Sequence, residues 1–401
     1  MNARPKIAIV TGGLPFGGST SFVLQLACGF RALNVPCAVF CLTHNNAFAA
    51  EFAAAGIPVH VSDEDRVIFE DRLTGLYKMI VEFNPTAVIA NIGTDAYEML
   101  RYMSSGVARV GVVHDLAMEP AGLIPAYEDV LDGVAVVNNS LVEEVLRPAP
   151  KVNCRYLAHG IPVSTVPPRD ANPAGPLKII YFGRLYPTKG TRLFPEIIDE
   201  LQRRKMPFRF TIHGEGPEES YLRRELANHL ASGVAVLSSN VPRAELYPLI
   251  RQHDVFIMAS DHEGGPLTLL EAMSLGLVPV CNDIPCLVQE VVNSKNGFRV
   301  SRKAEAFAEV IALLNQDRPL LERLSGEAQK TIGDTYTIEA MAKRYLDFIT
   351  SLGSPQSSIV WPSFHLKPIR CASPTFQFLQ RFGILRPVRR MLKSLKPTRS
   401  R

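Results

Sequence analysis

The sequence predicts an α/β protein made of two doubly wound, Rossmann-like domains facing each other across a cleft. Three observations predict it. Short β-branched apolar runs alternate with longer amphipathic stretches from Lys6 to about Thr350. The runs are continuously apolar, as strands of a parallel sheet covered on both faces are, and such alternation is the mark of βαβ units. The pattern halts at a proline-rich stretch and restarts, in a chain of 401 residues that exceeds what one core usually holds.

In the first half the expected strands are KIAIV (6–10), CAVFCL (37–42), IPVHV (57–61), AVIA (87–90), RVGVV (109–113) and GVAVV (133–137). Helix-like segments such as SFVLQLACGFRAL and GLYKMIVEF lie between them. VPPRDANPAGP (166–176) holds four prolines and a glycine without periodicity, the composition of an interdomain linker. After it, KIIYF (178–182), FRFTI (208–212), VAVL (234–237) and DVFIMA (254–259) alternate with helices expected at 191–204, 217–231, 243–252 and 266–275. The expected layout is a first domain over 1–166, a linker over 167–176 and a second domain over 177–351 whose last helix crosses back. A basic tail over 352–401 follows.

Composition narrows the function classes. Apolar residues make up 47% and charged residues 20%, an ordinary soluble balance. The seven cysteines are scattered without C-x-x-C or zinc spacing, which points to a reducing compartment and to small buried hydrophobes. The first apolar run, Ile7 to Val10, is too short for a signal-peptide core, and no stretch reaches the ~18 apolar residues of a membrane span. A cytoplasmic location is expected. The tail carries ten of the 43 Lys and Arg and none of the 39 acids, so the rest of the chain is net acidic. Nothing suggests a nucleic-acid partner.

The chemistry concentrates in SDHEGGPLTLLEAMSLGLVPV (260–280). Glu263 lies in a loop after a strand, and Pro266 stands at an expected first helical position, where its missing N–H costs nothing. Gly264 and Gly265 leave backbone N–H groups uncovered at a helix mouth, a site suited to a diphosphate. Glu271 lies about 7.5 Å along the helix from Pro266, too far to share one reacting bond with Glu263. Ionised carboxylates accept hydrogen bonds at both oxygens, so two of them flanking a diphosphate suit the two sugars of a nucleoside diphosphate sugar. In FGRLYPTKG (182–190), Arg184 and Lys189 supply cations for a departing diphosphate, Arg as a bidentate fork and Lys as a mobile point charge.

Together these segments resemble the retaining GT-B glycosyltransferases of the family-4 type, the glycosyl transferases group 1. Glu263 and Glu271 match the family's E-x7-E motif, and Gly183 to Gly190 its G-R-L…K-G segment. IHGEGP (212–217), EAMSLGLVPV and NGF (296–298) match its other elements, so the likeness spans about 178–350. The resemblance implies that Glu271 binds the ribose, Glu263 the donor hexose, and Arg184 with Lys189 the diphosphate. Gly183, Gly264, Gly265, Pro266 and Leu267 complete the donor set in this half. It also implies front-face attack with retention, no covalent enzyme nucleophile, no cofactor and no divalent metal. In the first half, TGGLPFGGSTSF (11–22) resembles the family's N-terminal glycine loop, which gives Gly17 and Gly18 a place facing the diphosphate and donor sugar. The family's G-G-A-E-R reads G-G-S-T-S here. His114, after strand RVGVV, is implied near the hexose, and HGIPV (159–163) resembles the segment closing the first domain.

The expected activity is transfer of a sugar from a nucleotide diphosphate sugar to a glycan or lipid-linked acceptor, in cell-surface polysaccharide or glycoconjugate synthesis. The alternatives are an epimerase or phosphorylase on this architecture, and a non-catalytic nucleotide-sugar-binding subunit or sensor. Asp63-Glu64-Asp65 has the D-x-D form of metal-dependent transferases, but Ser62-Asp63 reads as the cap of a following helix. In the tail, Phe378, Phe382, Leu385, Val388, Leu392 and Leu395 recur at three- and four-residue steps among eight cations, with Pro387 splitting the run. Such a basic amphipathic segment over 373–401 suits an anionic membrane surface and a peripheral enzyme.

Overall fold

The structure, a computed structural model, describes residues 4–15, 17–42, 47–62, 69–115, 123–163, 175–239 and 243–353. They form two compact units that divide at Ala158/His159 and again at Thr337/Ile338. Most of the 167–176 segment, the Asp63–Asp65 triplet and the tail beyond Gly353 lie outside the described residues.

The first unit is built from β1 (Ile7–Thr11), α1 (Gly18–Ala32), β2 (Cys37–Cys41), α2 (Ala49–Ala54), β3 (Val59–Val61), α3 (Phe69–Phe83), β4 (Ala87–Ile92), α4 (Thr94–Leu100), β5 (Ala108–Val113), α5 (Leu123–Ala126), β6 (Gly133–Val136), α6 (Ser140–Leu146) and β7 (Cys154–Tyr156). Its strands pair in parallel in the order β3-β2-β1-β4-β5-β6-β7. β1 and β2 are buried at every residue, which is why they read as unbroken apolar runs. β7 was invisible in the sequence: three residues with a half-exposed pattern at the sheet edge leave no apolar run.

The second unit runs β8 (Leu177–Phe182), two 3₁₀ turns (Pro187–Lys189 and Thr191–Leu193), α7 (Phe194–Arg203), β9 (Phe208–His213), α8 (Glu219–Glu225), α9 (Ala227–Ala231), β10 (Ala235–Ser238), α10 (Arg243–Ile250), β11 (Val255–Met258), α11 (Leu267–Ser274), β12 (Val278–Asn282), β13 (Phe298–Val300), α12 (Ala304–Gln316) and α13 (Arg318–Thr335). The sheet is again parallel, in the order β10-β9-β8-β11-β12-β13. The helix expected over 217–231 is two helices jointed at Leu226, whose burial turns the chain while the N–H of Leu226 still bonds to Leu222 O and that of Leu230 to Leu226 O. The one expected over 191–204 opens with a 3₁₀ turn, because Pro195 sits in the first turn of α7 and cannot donate to a preceding carbonyl. α13 begins where the Asp317 carboxylate accepts from the N–H of Leu320 at 2.8 Å, a cap worth about 1 kcal/mol.

The last described helix, α14 (Ile338–Ser351), returns to the first unit and buries Met341, Ala342, Tyr345 and Phe348 in its core. The contact is close because α1 carries Gly29 there: a side chain at 29 would overlap the carbonyl of Ile338 and the Ala342 methyl.

Beneath the second sheet, His253 is buried at 6% exposure, with Nδ1 on Leu249 O at 3.1 Å and Nε2 on Thr211 Oγ1 at 3.0 Å. A carbonyl can only accept, so Nδ1 carries the proton and Nε2 accepts from the threonine. Burial is the largest influence on this imidazole and pushes its pKa down to about 4. Between the ordinary histidine pKa of about 6.5 and the folded value, the unfolded chain binds a proton that the native state refuses. Its stabilising effect is complete above that window and fades as pH falls through it. Urea unfolding at pH 7 and pH 5 is expected to differ by about 2 kcal/mol on this account. His253→Gln is expected to remove that portion of the pH dependence, and an unchanged slope would overturn the assignment.

Candidate functional site

In both sheets the strand order reverses between the first strand and its non-sequential neighbour, β1 beside β4 and β8 beside β11. Ligands of open α/β sheets bind beyond the carboxyl ends of the strands at such points. In the second unit the residues that follow β8 and β11 are Gly183 to Gly190 and Ala259 to Pro266.

Two backbone features bring these loops together. The N–H of Asp261 donates to Thr188 O at 3.0 Å. Gly190 adopts φ 67°, ψ 17°, and a Cβ there would overlap the carbonyl of Ala259. A left-handed residue without a side chain is what lets the turn lie flat on the end of β11.

Lys189, 74 residues from Glu263 in sequence, therefore reaches its carboxylate, with Nζ 2.7 Å from Oε1 and 2.8 Å from Oε2. Glu263 is 7% exposed, so this is a largely desolvated pair, and Ser260 Oγ makes a third hydrogen bond to the carboxylate, donating to Oε1 at 2.7 Å. Asn282, at the end of β12, donates from Nδ2 to Ser260 O at 3.0 Å. The neighbouring Asp261 pairs with Arg302.

Arg184 is exposed, and its guanidinium lies 5.4 Å from the centroid of the Tyr186 ring. Its backbone is held by Tyr181, whose hydroxyl donates to Arg184 O at 2.7 Å. Burial, aided by the Glu263 charge, pushes the Tyr181 phenol well above the ordinary tyrosine range, so it stays a donor. Among the described residues no acid pairs with Arg184. Gly183 joins it to β8 with φ 151°.

Glu271 is buried inside α11, where the Tyr247 hydroxyl donates to Oε1 at 3.4 Å. Gly264 and Gly265 are half-buried in the loop before the helix. Pro266 is the residue before the first helical position and not the first one: Leu267 starts the helix, with the N–H of Leu270 bonding to Pro266 O at 3.2 Å. The ψ of 73° at Pro266 lies outside the helical range, so the chain bends into the helix one residue later than its ring would permit.

The first unit carries its own polar cluster at the β1/β4 reversal. Gly17 and Gly18 are exposed at the start of α1. The φ of 160° at Gly17 is extended and a Cβ there would meet nothing, so packing does not demand glycine at 17. His114 follows β5 and places Nε2 2.7 Å from Asn91 Oδ1, with the Phe22 ring edge-on at 4.9 Å. Asn91 Nδ2 in turn donates to Thr11 Oγ1 at 3.3 Å, which orients the amide so that His114 Nε2 carries the proton. Burial pushes this imidazole down to about 4 against the opposing pull of Asp115, so His114 is neutral at pH 7.

Sequence reasoning missed Ser260, Asn282, Tyr181 and Tyr247 in the second unit, and Asn91 and Thr11 in the first. Asn91, Thr11 and Asn282 share a legible signal, a polar residue at or near the carboxyl end of an apolar strand; the Ser260, Tyr181 and Tyr247 hydroxyl contacts had none. Asn296 of NGF is structural, accepting from the N–H of Val292 and donating to Glu290 O and Thr331 Oγ1. Cys37, Cys41, Cys281 and Cys286 are buried, while Cys28 and Cys154 are partly exposed. Among the described residues no group of three or more His, Cys, Asp and Glu could hold a metal.

Comparison with known proteins finds glycosyltransferases. A GDP-mannose:cellobiosyl-diphosphopolyprenol alpha-mannosyltransferase from Xanthomonas oryzae is 28% identical over 225 residues, 55% of this chain and 58% of that protein. WcaL of Escherichia coli K12, a glycosyltransferase named for colanic acid biosynthesis, is 31% identical over 166 residues, 39% of this chain and 41% of its own. The chain thus spans about half the length of the curated relatives it matches. The crystal structure of Anabaena HepE in complex with UDP and glucose superposes with a TM-score of 0.70 over 86% of this chain and all of that one, at 16% identity, and the fold is GT-B. Residues 165–331, which contain Arg184, Lys189, Glu263 and Glu271, match the family model of the glycosyl transferases group 1.

Proposed function

We propose that the protein is a retaining glycosyltransferase that moves a hexosyl unit from a nucleotide diphosphate sugar to a glycan or lipid-linked acceptor, in synthesis of a cell-surface polysaccharide or glycoconjugate. The observation that carries this reading is the meeting of Lys189 and Glu263 at the β8/β11 reversal, beside the start of α11, with Arg184 exposed on the same loop as Lys189 and without an acid partner among the described residues. Two cations and a helix start favour charge on a departing diphosphate without a metal. Glu263 accepts from Ser260 and Lys189 at Oε1 and from Lys189 at Oε2, which leaves lone-pair capacity at Oε2 for a donor hydroxyl. Glu271 takes the ribose. The roles of Gly17, Gly18 and neutral His114 toward diphosphate and hexose rest on the family resemblance alone.

Calorimetry with UDP, GDP and ADP and their sugars tests the reading, followed by product analysis of anomeric configuration. One nucleoside diphosphate is expected to bind, transfer to proceed with retention, and activity to survive EDTA. Glu271→Ala is expected to weaken binding of the nucleoside diphosphate itself, and Glu263→Ala to impair instead the handling of the donor sugar. Equal loss of nucleotide affinity in both variants would overturn the division of roles, and a strict metal requirement would overturn the metal-free mechanism.

The lipid-linked acceptor is supported by the Xanthomonas relative, whose name gives a diphosphopolyprenol acceptor, and by the basic amphipathic pattern of 373–401. No helix among the described residues is long and apolar enough to cross a membrane. Peripheral attachment to the cytoplasmic face through the tail follows from this reading. Co-sedimentation with anionic but not neutral liposomes is expected, weakened by salt. Unchanged binding after deletion of 373–401 would show that the tail is not the contact.

A further inference from the structure

We propose that Asn282 is a positioning residue for Glu263, acting through Ser260; the proposal rests on the donor-binding reading of this site. Asn282 ends β12, outside both the E-x7-E pair and the G-R-L…K-G segment. Its amide is 6% exposed, and Nδ2 donates to Ser260 O at 3.0 Å. Ser260 is 1% exposed, and its hydroxyl donates to Glu263 Oε1 at 2.7 Å. One strand end thus holds the backbone of a residue whose side chain holds the carboxylate.

The loop needs this hold. β11 ends at Met258, so Ala259 to Glu263 lie beyond the ladder and are placed by individual bonds. On one side the N–H of Asp261 is tied to Thr188 O at 3.0 Å, next to Lys189. On the other side Asn282 supplies the tie from β12. With both in place, Oε1 is occupied by Ser260 and Lys189 while Oε2 accepts from Lys189 alone among the described residues. The carboxylate is therefore presented in one orientation. Loss of the Asn282 donor leaves Ser260 O buried without that bond and lets the serine and its hydroxyl shift. Displacements near 1 Å at a reacting centre cost as much as about a hundredfold in rate. Acting one residue removed, Asn282 is expected to be worth about a tenth of that.

The experiment measures donor kcat and KM, nucleoside diphosphate affinity by calorimetry, and melting temperature for the full chain. The variants are Asn282→Ala, Asn282→Leu, Ser260→Ala and the double alanine variant. Asn282→Ala is expected to lower kcat about tenfold while nucleoside diphosphate affinity stays within about twofold, because Arg184 and Glu271 are untouched. The double variant is expected to be no more than about twofold slower than the slower single one, since both act along one path. Asn282→Leu keeps roughly the volume and loses the donor without adding a charge, and carries the same test if the alanine variant does not fold. Multiplying effects in the double variant, kcat within about twofold of wild type, or affinity falling in parallel with kcat would each overturn the proposal. A wild-type protein that binds no nucleoside diphosphate would instead overturn the functional reading beneath it.

Discussion

Arg184→Ala is expected to lower the rate of sugar transfer on the order of a hundredfold or more while changing stability by less than about 0.5 kcal/mol. The two halves of that expectation come from the same observation. The guanidinium is exposed, stacks on Tyr186 and has no acid partner among the described residues, so its removal leaves no buried charge stranded. Its charge matters when negative charge grows on the departing diphosphate, and an interaction made mainly then lowers kcat more than it weakens ground-state binding. Lys189 offers the instructive contrast. It is hydrogen-bonded to both oxygens of the buried Glu263, so its removal strands a desolvated carboxylate and destabilises the fold together with the reaction. Steady-state kinetics and urea unfolding on Arg184→Ala separate the two effects. Turnover within about threefold of wild type would remove Arg184 from the mechanism.

Gly190→Ala is expected to destabilise the second unit by roughly 3 kcal/mol or more. Two penalties act at this position. With φ at 67°, a side chain meets the left-handed cost of about 1 kcal/mol, and the added methyl overlaps the carbonyl of Ala259, which belongs to the backbone and cannot rotate away. Relief requires the 187–190 turn to lift from the end of β11, which withdraws Lys189 from Glu263. Gly233→Ala is the control, since φ there is 74° but no atom lies within 4 Å of the added carbon. It is expected to cost only the conformational penalty, about 1 kcal/mol. If urea unfolding shows the two variants equally stable, the close approach of Gly190 to β11 is wrong.

The sequence by itself determined the architecture and the chemical cast. Strands buried on both faces, such as β2 and β11, betray themselves because every residue is apolar whichever way it points, whereas the equally buried β12, interrupted by Pro279 and ending in Asn282, was not among the expected strands. The residues after β8 and β11 were legible because glycines, a proline, cations and carboxylates stand where apolar runs stop. The short edge strands β7 and β13 were not legible, since half-exposed positions permit polar side chains and break the pattern. Only the tertiary structure decided which of these groups meet. Lys189 and Glu263 are 74 residues apart, and they touch because β11 crosses to lie beside β8 and Gly190 brings the turn down onto its end. Asn282 reaches Ser260 for the same reason, through the pairing of β12 with β11. Periodicity records whether a residue is buried, which is a local property; hydrogen-bond partners depend on strand order and on close backbone approach, which no local pattern encodes.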